Sequence, residues 1–433
     1  MTTSGRHGPG WYFSRMPPHP PTVPFVPVVI GGELATYTLA RAFHGELGVR
    51  TTVMTRGVPA PVRGSAIIDD EVVPGLDDLD EVVAAVHRVA DAHPDRRVML
   101  MGTMDWWVER IVSLRDRFDE RVVVPYPELP LIEALSDKER FAQVCAEVGV
   151  THPRTVVLDP DVPESGVPAL LADLRAPLVV KPADSPAFHG LLYAGKQKVG
   201  YADGVEELLA LRRVMTGAGY AGALVVQERV PGGDEQMRVL TTYSDRSGRV
   251  RWGRMGHVLL EDHDPGMIGN PLAVVHGASA TAMADATRLL EHVGWTGWAN
   301  FDIKVDPRDG REHFFELNPR LGRSHGYLTA AGHPVATPWV REHVEGLDPY
   351  DGLETGPETD DWLYSIVPVP LLRRYVTDPG TRERLARIRR TGRVVRPFVY
   401  GPDRGRDRRL AQLKNDLLYA RSFARYYRRP VTS

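Results

Sequence analysis

Apolar runs and helical stripes alternate through the first third of the chain. The run "FVPVVI" ends at a glycine pair, and residues 34–47 then carry apolar side chains at helical spacing before Gly48. Further strands are predicted in "VRTTVMTR", "RRVMLMG" and "RVVVPYP", and helices in "LDDLDEVVAAVHRVADAH" and "DWWVERIVSLRDRF". Strands that alternate with helices indicate a parallel sheet joined by crossover helices. We therefore predict an α/β domain over residues 25–130.

The glycine pair after the first strand suggests a turn that binds a dinucleotide. However, "GGELATYTLAR" lacks the G-x-G-x-x-G spacing that lets the backbone approach a pyrophosphate. Arg56 also stands near the end of the second strand, where such sites place an acid. A tight turn from strand to helix accounts for the glycines at least as well, so nicotinamide binding is not predicted.

The middle of the chain mixes hairpins with helices, which is typical of α+β organisation. A helix capped by Ser136 or Asp137 runs to Gly149, and "APLVVKPADS" is an apolar strand that leads into a lysine. Helices are predicted in "GVEELLALRRVM" and "TAMADATRLLEHVGW", and strands in "ALVVQERVPGGDEQMRVLTTYS" and "RVRWGRMGHVLLE". The segment "GWANFDIKVDPRDGREHFFELNPR" predicts a hairpin with "PRDG" as its turn.

The end of the chain differs in charge from the rest. From Leu371 to Ser433 there are seventeen arginines and one lysine against five acidic residues, a local charge of +13 within a net charge of −3. The arginines alternate with aromatic residues, so a solvated helical face, attraction to an anionic membrane surface and steering of an anionic substrate all remain open. Nucleic acid is not favoured as a partner, because no recognised motif accompanies the charge.

Composition indicates an ordinary soluble globular protein of 433 residues, with 42% hydrophobic and 25% charged residues. The single cysteine, Cys145, lies on a predicted apolar helix face and is expected to be a buried structural thiol. No stretch approaches the roughly 20 apolar residues that span a bilayer. Residues 1–24 are rich in proline and glycine and are expected to form a flexible tail without a secretory signal. We expect a cytoplasmic protein, and the oligomeric state stays open, a homodimer included.

One short stretch, "HFFELNPRLGRSH", concentrates polar groups inside an apolar setting. Glu316, Asn318 and Arg320 are two residues apart and can share one face of a strand. Counting back from the "PRDG" turn places Asp302 near Glu316 across the strand pair. Carboxylate and amide oxygens are hard ligands suited to Mg²⁺, and buried polar groups are costly unless they are paired or liganded. The pattern favours a metal site over a surface hairpin that happens to carry two acids.

Two lysines and one polar pair precede that hairpin. Lys138 starts a helix, and Lys181 ends the strand "PLVVK", where an ammonium group can contact a phosphate oxygen. Gln227 and Glu228 then follow an apolar run. Taken alone, a lysine at the end of a strand is more often simply solvated. The Gln227–Glu228 segment, taken alone, is at least as typical of an ordinary strand–turn–strand segment as of a nucleotide site.

The order of these features resembles the ATP-grasp superfamily, and "FFELNPRLGRSHG" is similar to its metal-binding signature. The resemblance covers residues 25–335, and "VPVVIGGELATYTLARAFHGELGVRTTVM" with "GTMDWWVERI" is most similar to the D-aspartate-ligase-like carboxylate–amine ligases. It implies an ATP-grasp fold with an N-terminal parallel α/β domain and a basic C-terminal extension. The implied divisions beyond residue 130 are a small ATP-grasp subdomain, a large one with the Mg²⁺ site and the Arg-rich extension, at 131–225, 226–335 and 336–433.

The same resemblance implies roles for individual residues around ATP and Mg²⁺. Phosphate contacts fall to Lys138 and Lys181, the adenine pocket to Gln227, Glu228 and Val230, and the ribose to Glu235. The implied metal ligands are Asp302, Glu316 and Asn318, and Arg320 would face an acyl phosphate. The phosphate-covering loop departs from the pattern, because "ADSPAFHGLLYAGKQKV" has only two glycines. The candidates for phosphate contacts in that loop are Ser185, His189, Lys196 and Lys198.

The implied activity is an ATP-dependent ligation of a carboxylate to an amine, through an acyl phosphate, with release of ADP and phosphate. Lys181 and Arg320 would offset charge on the transferred group, and no covalent protein nucleophile is needed. His325 and Asp302 are candidates for the base that accepts the amine proton. Two alternatives share the nucleotide residues: a carboxylase that uses bicarbonate, and an inactive ATP-binding module. Substrates would be small or peptide-like acids and amines, and the sequence does not identify them.

Overall fold

A computed structural model gives the structure of the protein and describes residues 21–183, 187–188, 190–193, 196, 199–353 and 361–427. Most of the predicted N-terminal tail therefore lies outside the described residues. The strands are β1 Phe25–Ile30, β2 Thr51–Thr55, β3 Ile68–Val72, β4 Arg97–Gly102, β5 Val122–Val123, β6 Thr155–Leu158, β7 Leu178–Pro182, β8 Gly200–Ala202, β9 Leu224–Glu228, β10 Met237–Ser244, β11 Val250–Glu261, β12 Pro271–Gly277, β13 Gly297–Val305, β14 Glu312–Asn318, β15 Leu363–Ser365 and β16 Val394–Val395.

The helices of the described residues connect and cover these strands. They are α1 Leu34–Leu47, α2 Leu79–Ala92, α3 Asp105–Ser113, α4 Leu129–Ser136, α5 Lys138–Glu147, α6 Val167–Leu170, α7 Val205–Gly217, α8 Ala280–Val293, α9 Gly326–Ala330, α10 Ala336–Val340, α11 Val369–Tyr375, α12 Pro379–Thr391 and α13 Arg406–Tyr426. None of the helices in the described segments is long and apolar enough to cross a membrane.

The first sheet is parallel throughout, with the strand order β3-β2-β1-β4-β5. Every residue of β1 is buried, as expected for a strand that has helices on both faces of its sheet. Strands β2 and β3 are added on one side of β1, and β4 and β5 on the other side, so the strand order reverses between the neighbours β1 and β4. Their carboxyl ends therefore form a crevice of the kind where α/β sheets bind ligands.

Two further sheets make up the middle of the chain. One has four antiparallel strands in the order β6-β9-β7-β8, and the other has seven in the order β14-β13-β10-β11-β12-β15-β16. The seven-stranded sheet is antiparallel apart from the short β15–β16 pair. The predicted hairpin forms β13 and β14, and the predicted strand–turn–strand segment forms β9 and β10, which belong to different sheets.

The largest apolar core joins the large sheet to the N-terminal domain and to the C-terminal helices. It includes Phe43 of α1, Trp298 of β13, Trp339 of α10 and Phe423 of α13. Cys145 also belongs to this core and has no exposed surface, and its burial raises the pKa of the thiol to about 12. The expectation of a buried, unreactive cysteine is confirmed.

Candidate functional site

The β13–β14 hairpin brings the predicted metal ligands together. Asp302 pairs with Glu316, and Asn300 pairs with Asn318, in the antiparallel register. The register shifts just after Asp302, because Ile303 pairs with Phe314 and leaves Phe315 without an opposite residue. Glu316 and Asn318 follow the bulge and are two residues apart, so they lie on one face of β14, as the sequence predicted.

The carboxyl groups of Asp302 and Glu316 interact directly. Burial raises the pKa of Asp302 well above its ordinary value, and both the charge of Glu316 and a hydrogen bond with it raise that pKa further. Arg320 and a hydrogen bond with Asn318 act in the opposite direction. Two carboxyl groups held this close cannot both carry a charge cheaply unless a cation lies between them.

Arg320 is held by an acid from the N-terminal domain. Its Nε lies 2.9 Å from Oδ1 of Asp105, and its Nη2 donates a 3.0 Å hydrogen bond to Oδ2 of the same carboxylate. Nη2 also donates to Oδ1 of Asn318 at 3.3 Å. Asp105 begins α3 shortly after β4, so Arg320 lies near the carboxyl end of β4. Sequence reasoning missed Asp105.

The loop after the hairpin packs tightly against the same strands. Gly322 lies so close to Asn300 that an added Cβ would come within 2.7 Å of its Oδ1. His325 follows and is 1% exposed, with its Nδ1 2.9 Å from the Gly322 carbonyl. Burial lowers the pKa of His325 to about 4, so its ring is neutral at neutral pH. The ring has the protonation state of a proton acceptor, but its burial removes it from solvent.

Lys181 connects the four-stranded sheet to the hairpin. It lies on β7 with its Nζ 5.6 Å from the centroid of the Phe315 ring, which is the bulged residue of β14. An ammonium group over an aromatic face is a weakly favourable contact. Lys138 is the first residue of α5, and α5 packs beside β14. Both lysines therefore lie on elements that border the hairpin.

The predicted adenine-binding residues lie at the end of β9. Gln227 is buried and its Nε2 donates a 3.0 Å hydrogen bond to Oγ1 of Thr155, while the Glu228 carboxylate accepts 2.9 Å from the Arg175 amide. Val230 is buried just beyond the strand. The Gln227 side chain is thus hydrogen-bonded to a side chain of β6, and the Glu228 side chain to a backbone amide.

Glu235 lies in the turn between the two sheets and is exposed. Its carbonyl accepts 2.8 Å hydrogen bonds from Nε2 of His257 and from Nη1 of Arg238. The Glu235 carboxylate accepts a 3.3 Å hydrogen bond from the Gly233 amide. Glu235 is thus presented to solvent at the junction of β9 and β10, next to the predicted nucleotide residues.

A second acidic cluster, which the sequence did not predict, lies next to Asp302. Burial raises the pKa of Glu261 to about 8, with further increases from the charges of Asp234 and Asp302. Lys304 opposes this shift and donates a 2.9 Å hydrogen bond to the Gly232 carbonyl. Strand β11 extends beyond its pairing with β10, and this extension brings Glu261 towards the hairpin.

Few residues of the predicted phosphate-covering loop are described. Ser185, His189 and Lys198 lie outside the described residues. Lys196 is described, and its Nζ donates 2.8 Å to the Leu191 carbonyl and lies 4.8 Å from the Phe188 ring centroid.

Comparisons with known proteins agree with this architecture. The chain is 29% identical to the D-aspartate ligase of Enterococcus faecium over 409 residues, which are 93% of this chain and 97% of the relative. The crystal structure of an L-amino acid ligase from Bacillus licheniformis matches with a TM-score of 0.55 and 15% identity, over 80% of this chain and 81% of that one. The chain has the ATP-grasp fold and is a homologue of D-aspartate ligase.

A second ATP-grasp structure is the biotin carboxylase domain of the 2-oxoglutarate carboxylase from Hydrogenobacter thermophilus, solved with MgADP and bicarbonate. It matches with a TM-score of 0.55 and 15% identity, over 77% of this chain and 72% of that one. No family model matches the sequence. The predicted ATP-grasp resemblance and the prediction of an enzyme of the carboxylate–amine ligase type are confirmed by the homologue and the fold.

Proposed function

We propose that the protein is an ATP-dependent ligase that joins a carboxylate to an amine and releases ADP and phosphate. The pairing of Asp302 with Glu316 beside Asn318 carries this proposal. The similarity to D-aspartate ligase, over nearly the whole of both chains, supports an amino acid as one of the substrates. The ATP-grasp fold supports ATP as the source of the phosphoryl group.

The residues of the hairpin fit Mg²⁺ bound together with a nucleotide. The described residues contain no group of three or more His, Cys, Asp or Glu side chains arranged around a metal position. Mg²⁺ does not require one, because it retains water and commonly binds through one or two carboxylates plus phosphate oxygens. Asp302, Glu316 and Asn318 would hold it, and a divalent cation would favour the charged form of Asp302, whose pKa burial and the Glu316 charge raise.

The chemistry that MgATP supplies is transfer of its γ-phosphoryl group to the substrate carboxylate. A carboxylate oxygen forms the new bond to phosphorus while the bond to ADP breaks, and the product is an acyl phosphate. The amine nitrogen then attacks the acyl carbon, inorganic phosphate leaves with the bonding electrons, and the nitrogen loses a proton. Positioning and charge neutralisation supply most of the catalysis in phosphoryl transfer.

We assign those tasks to the charged side chains that border the hairpin. Lys181 and Lys138 would contact phosphate oxygens, and Arg320 would face the phosphate formed on the substrate. Asp105 holds the Arg320 fork on two atoms, so the guanidinium keeps one orientation. Gln227, Glu228 and Val230 would border the adenine, and Glu235 is exposed where it can accept ribose hydroxyl protons. Under the same proposal, residues 131–225 and 226–335 are the two ATP-grasp subdomains that enclose the nucleotide.

Measurement of ADP release with panels of acids and amines tests this proposal. We expect release that requires both an acid and an amine, with aspartate and other amino acids included in both panels. Bicarbonate dependence without an amine would instead support a carboxylase. ATP binding without turnover on any panel would support an inactive ATP-binding module. Asp302→Asn should abolish release, whereas Asp309→Asn at the exposed turn of the same hairpin should leave it unchanged.

A further inference from the structure

Helix α13 turns its apolar side chains towards solvent. Leu410, Leu413 and Leu417 are 64%, 60% and 60% exposed, and Leu418 is 57% exposed. The spacing of three and four residues places the first three on one side of the helix. Four exposed leucines in nine residues form a concentration of apolar surface that a monomeric protein does not need for its own core.

The opposite side of the same helix attaches to the protein through polar contacts. Asp416 forms a 2.6 Å ion pair with Arg396 and accepts a 2.6 Å hydrogen bond from Gln412. Tyr419 accepts a 3.2 Å hydrogen bond from Arg323. Phe423 and Tyr419 pack on the apolar core, and Asp416 and Gln412 supply polar contacts on the same side, so the exposed leucines take no part in attaching the helix.

Basic side chains lie among the exposed leucines. At 100° per residue, Lys414, Arg421 and Arg425 fall within about 60° of Leu410, and all three are exposed. Arg406 and Arg409 extend the charge towards the start of the helix, where Asp407 is the one exposed acid of α13. The leucines supply apolar contacts and the basic side chains supply positive charge on the same exposed face, and long basic side chains can extend their charged ends beyond the leucines.

Neighbouring elements add to this positive charge. Tyr375 of α11 packs on Phe423 of α13, with ring centroids 4.9 Å apart. The same end of α11 contributes Arg373 and Arg374 to an open cavity of about 530 Å³ that is also lined by arginines of α12. Basic side chains thus outnumber acids on α13 and on the neighbouring helices α11 and α12.

We propose that the exposed face of α13, defined by Leu410, Leu413, Lys414, Leu417 and Arg421, binds an anionic membrane surface. The helix would lie parallel to the membrane, with its leucines among the lipid chains and its basic groups on lipid phosphates. Charge complementarity favours this partner over a second copy of the chain. Two copies related by a twofold axis would bring the same basic groups together, with Asp407 as the one exposed acid of α13 to offset them.

Co-sedimentation of the full-length protein with lipid vesicles tests the proposal. We expect the protein to sediment with vesicles of phosphatidylcholine mixed with phosphatidylglycerol, not with pure phosphatidylcholine, and to be released by added salt. The variants L410Q/L413Q/L417Q and K414E/R421E should each bind the mixed vesicles at least about tenfold more weakly than the wild type does. These positions are exposed, so the fold should survive both sets of changes.

Two variants elsewhere on the surface are the controls. Val214 on α7 is 53% exposed, and Arg311 at the hairpin turn has a side chain that is 68% exposed. V214Q and R311E should bind the mixed vesicles as the wild type does. Equal binding to both vesicle types, no binding to either, or unchanged binding of the leucine variant would overturn the proposal. A dimer in sedimentation analysis that the leucine variant abolishes, without vesicle binding, would assign the face to a second copy.

Discussion

Arg320 and Asp105 form a two-point ion pair that joins the end of the β13–β14 hairpin to the N-terminal domain. Nε lies 2.9 Å from Oδ1, and Nη2 lies 3.0 Å from Oδ2. The pair fixes the direction of the guanidinium. The Arg320 side chain is 17% exposed and that of Asp105 is 42% exposed, so a ligand can still reach both side chains. An arginine that faces a reacting phosphate needs such an orientation, and a lysine could not reproduce the fork.

Loss of this ion pair should slow the reaction more than it weakens ATP binding. In Asp105→Asn the neutral amide accepts less strongly, Arg320 loses its fixed orientation, and we expect kcat to fall by roughly 10- to 100-fold. The KM for ATP should change by much less. The matched control is Asp80→Asn on α2, which removes the charge of an exposed carboxylate that pairs with Arg117. It should have wild-type kinetics. A wild-type kcat for Asp105→Asn would exclude the positioning role.

The Asp302–Glu316 pair should destabilise the protein when no metal is present. The pKa of Asp302 is raised in the folded state, so the folded state binds more protons than the unfolded state above about pH 4, and the unfolding free energy falls as the pH rises. Glu316→Gln removes the neighbouring charge, and metal-free protein should then lose less stability between pH 4 and pH 7. Chemical unfolding at several pH values measures this difference.

The same variant should lose its response to magnesium. Added Mg²⁺ with a nucleotide should raise the melting temperature of the wild type and of Asp309→Asn, but not that of Glu316→Gln. An equal rise in all three proteins would show that the metal binds elsewhere.

Glu46 ties the first helix to the segment that follows the candidate site. Its carboxylate accepts hydrogen bonds from the amides of Val335, Ala336 and Thr337, at 2.7, 2.8 and 2.9 Å. Glu46→Ala would leave three buried amides unpaired, and we expect the unfolding free energy to fall by about 2–4 kcal/mol. Glu81→Ala on the exposed face of α2 should change it by less than about 0.5 kcal/mol. Urea denaturation distinguishes the two, and equal stability of both variants would contradict this assignment.

Buried neutral histidines should make the protein sensitive to acid. The folded-state pKa of His325 is about 4 against 6.5 for a free histidine, so the unfolded state binds more protons between these values. Stability from this group is present above about pH 6.5 and is lost as the pH falls towards 4, by about 3 kcal/mol at most. His325→Gln should show a smaller loss over that window than the wild type, measured as unfolding free energy against pH. An identical slope would show that His325 does not stay neutral.

The features that the sequence predicted correctly have a strong local signal. The apolar run of β1, the helical stripe of α1 and the "PRDG" turn depend on neighbouring residues, and the turn was enough to place Asp302 near Glu316. The bulge at Phe315, which sets the exact pairing, was not predicted. The strand β3 was missed, because an edge strand that reads "IDDEV" carries three acids and lacks an apolar run.

Contacts between distant parts of the chain could not be predicted in this way. Asp105 and Arg320 are 215 residues apart, and nothing in "GTMDWWVERI" distinguishes an acid that pairs with arginine from an ordinary first-turn acid of a helix. Glu261 lies near the hairpin because β11 extends beyond its pairing with β10. The exposure of the α13 leucines could not be predicted, because the sequence does not show which face of the helix packs on the core.

Oxygen transfer tests the central claim most directly. A substrate acid labelled with ¹⁸O in its carboxylate would be ligated to an amine in the presence of MgATP, and the inorganic phosphate would be analysed by mass spectrometry. An acyl phosphate requires that one carboxylate oxygen leaves with the phosphate, so we predict one ¹⁸O atom in each phosphate released. Unlabelled phosphate accompanying amide formation would contradict the proposed reaction.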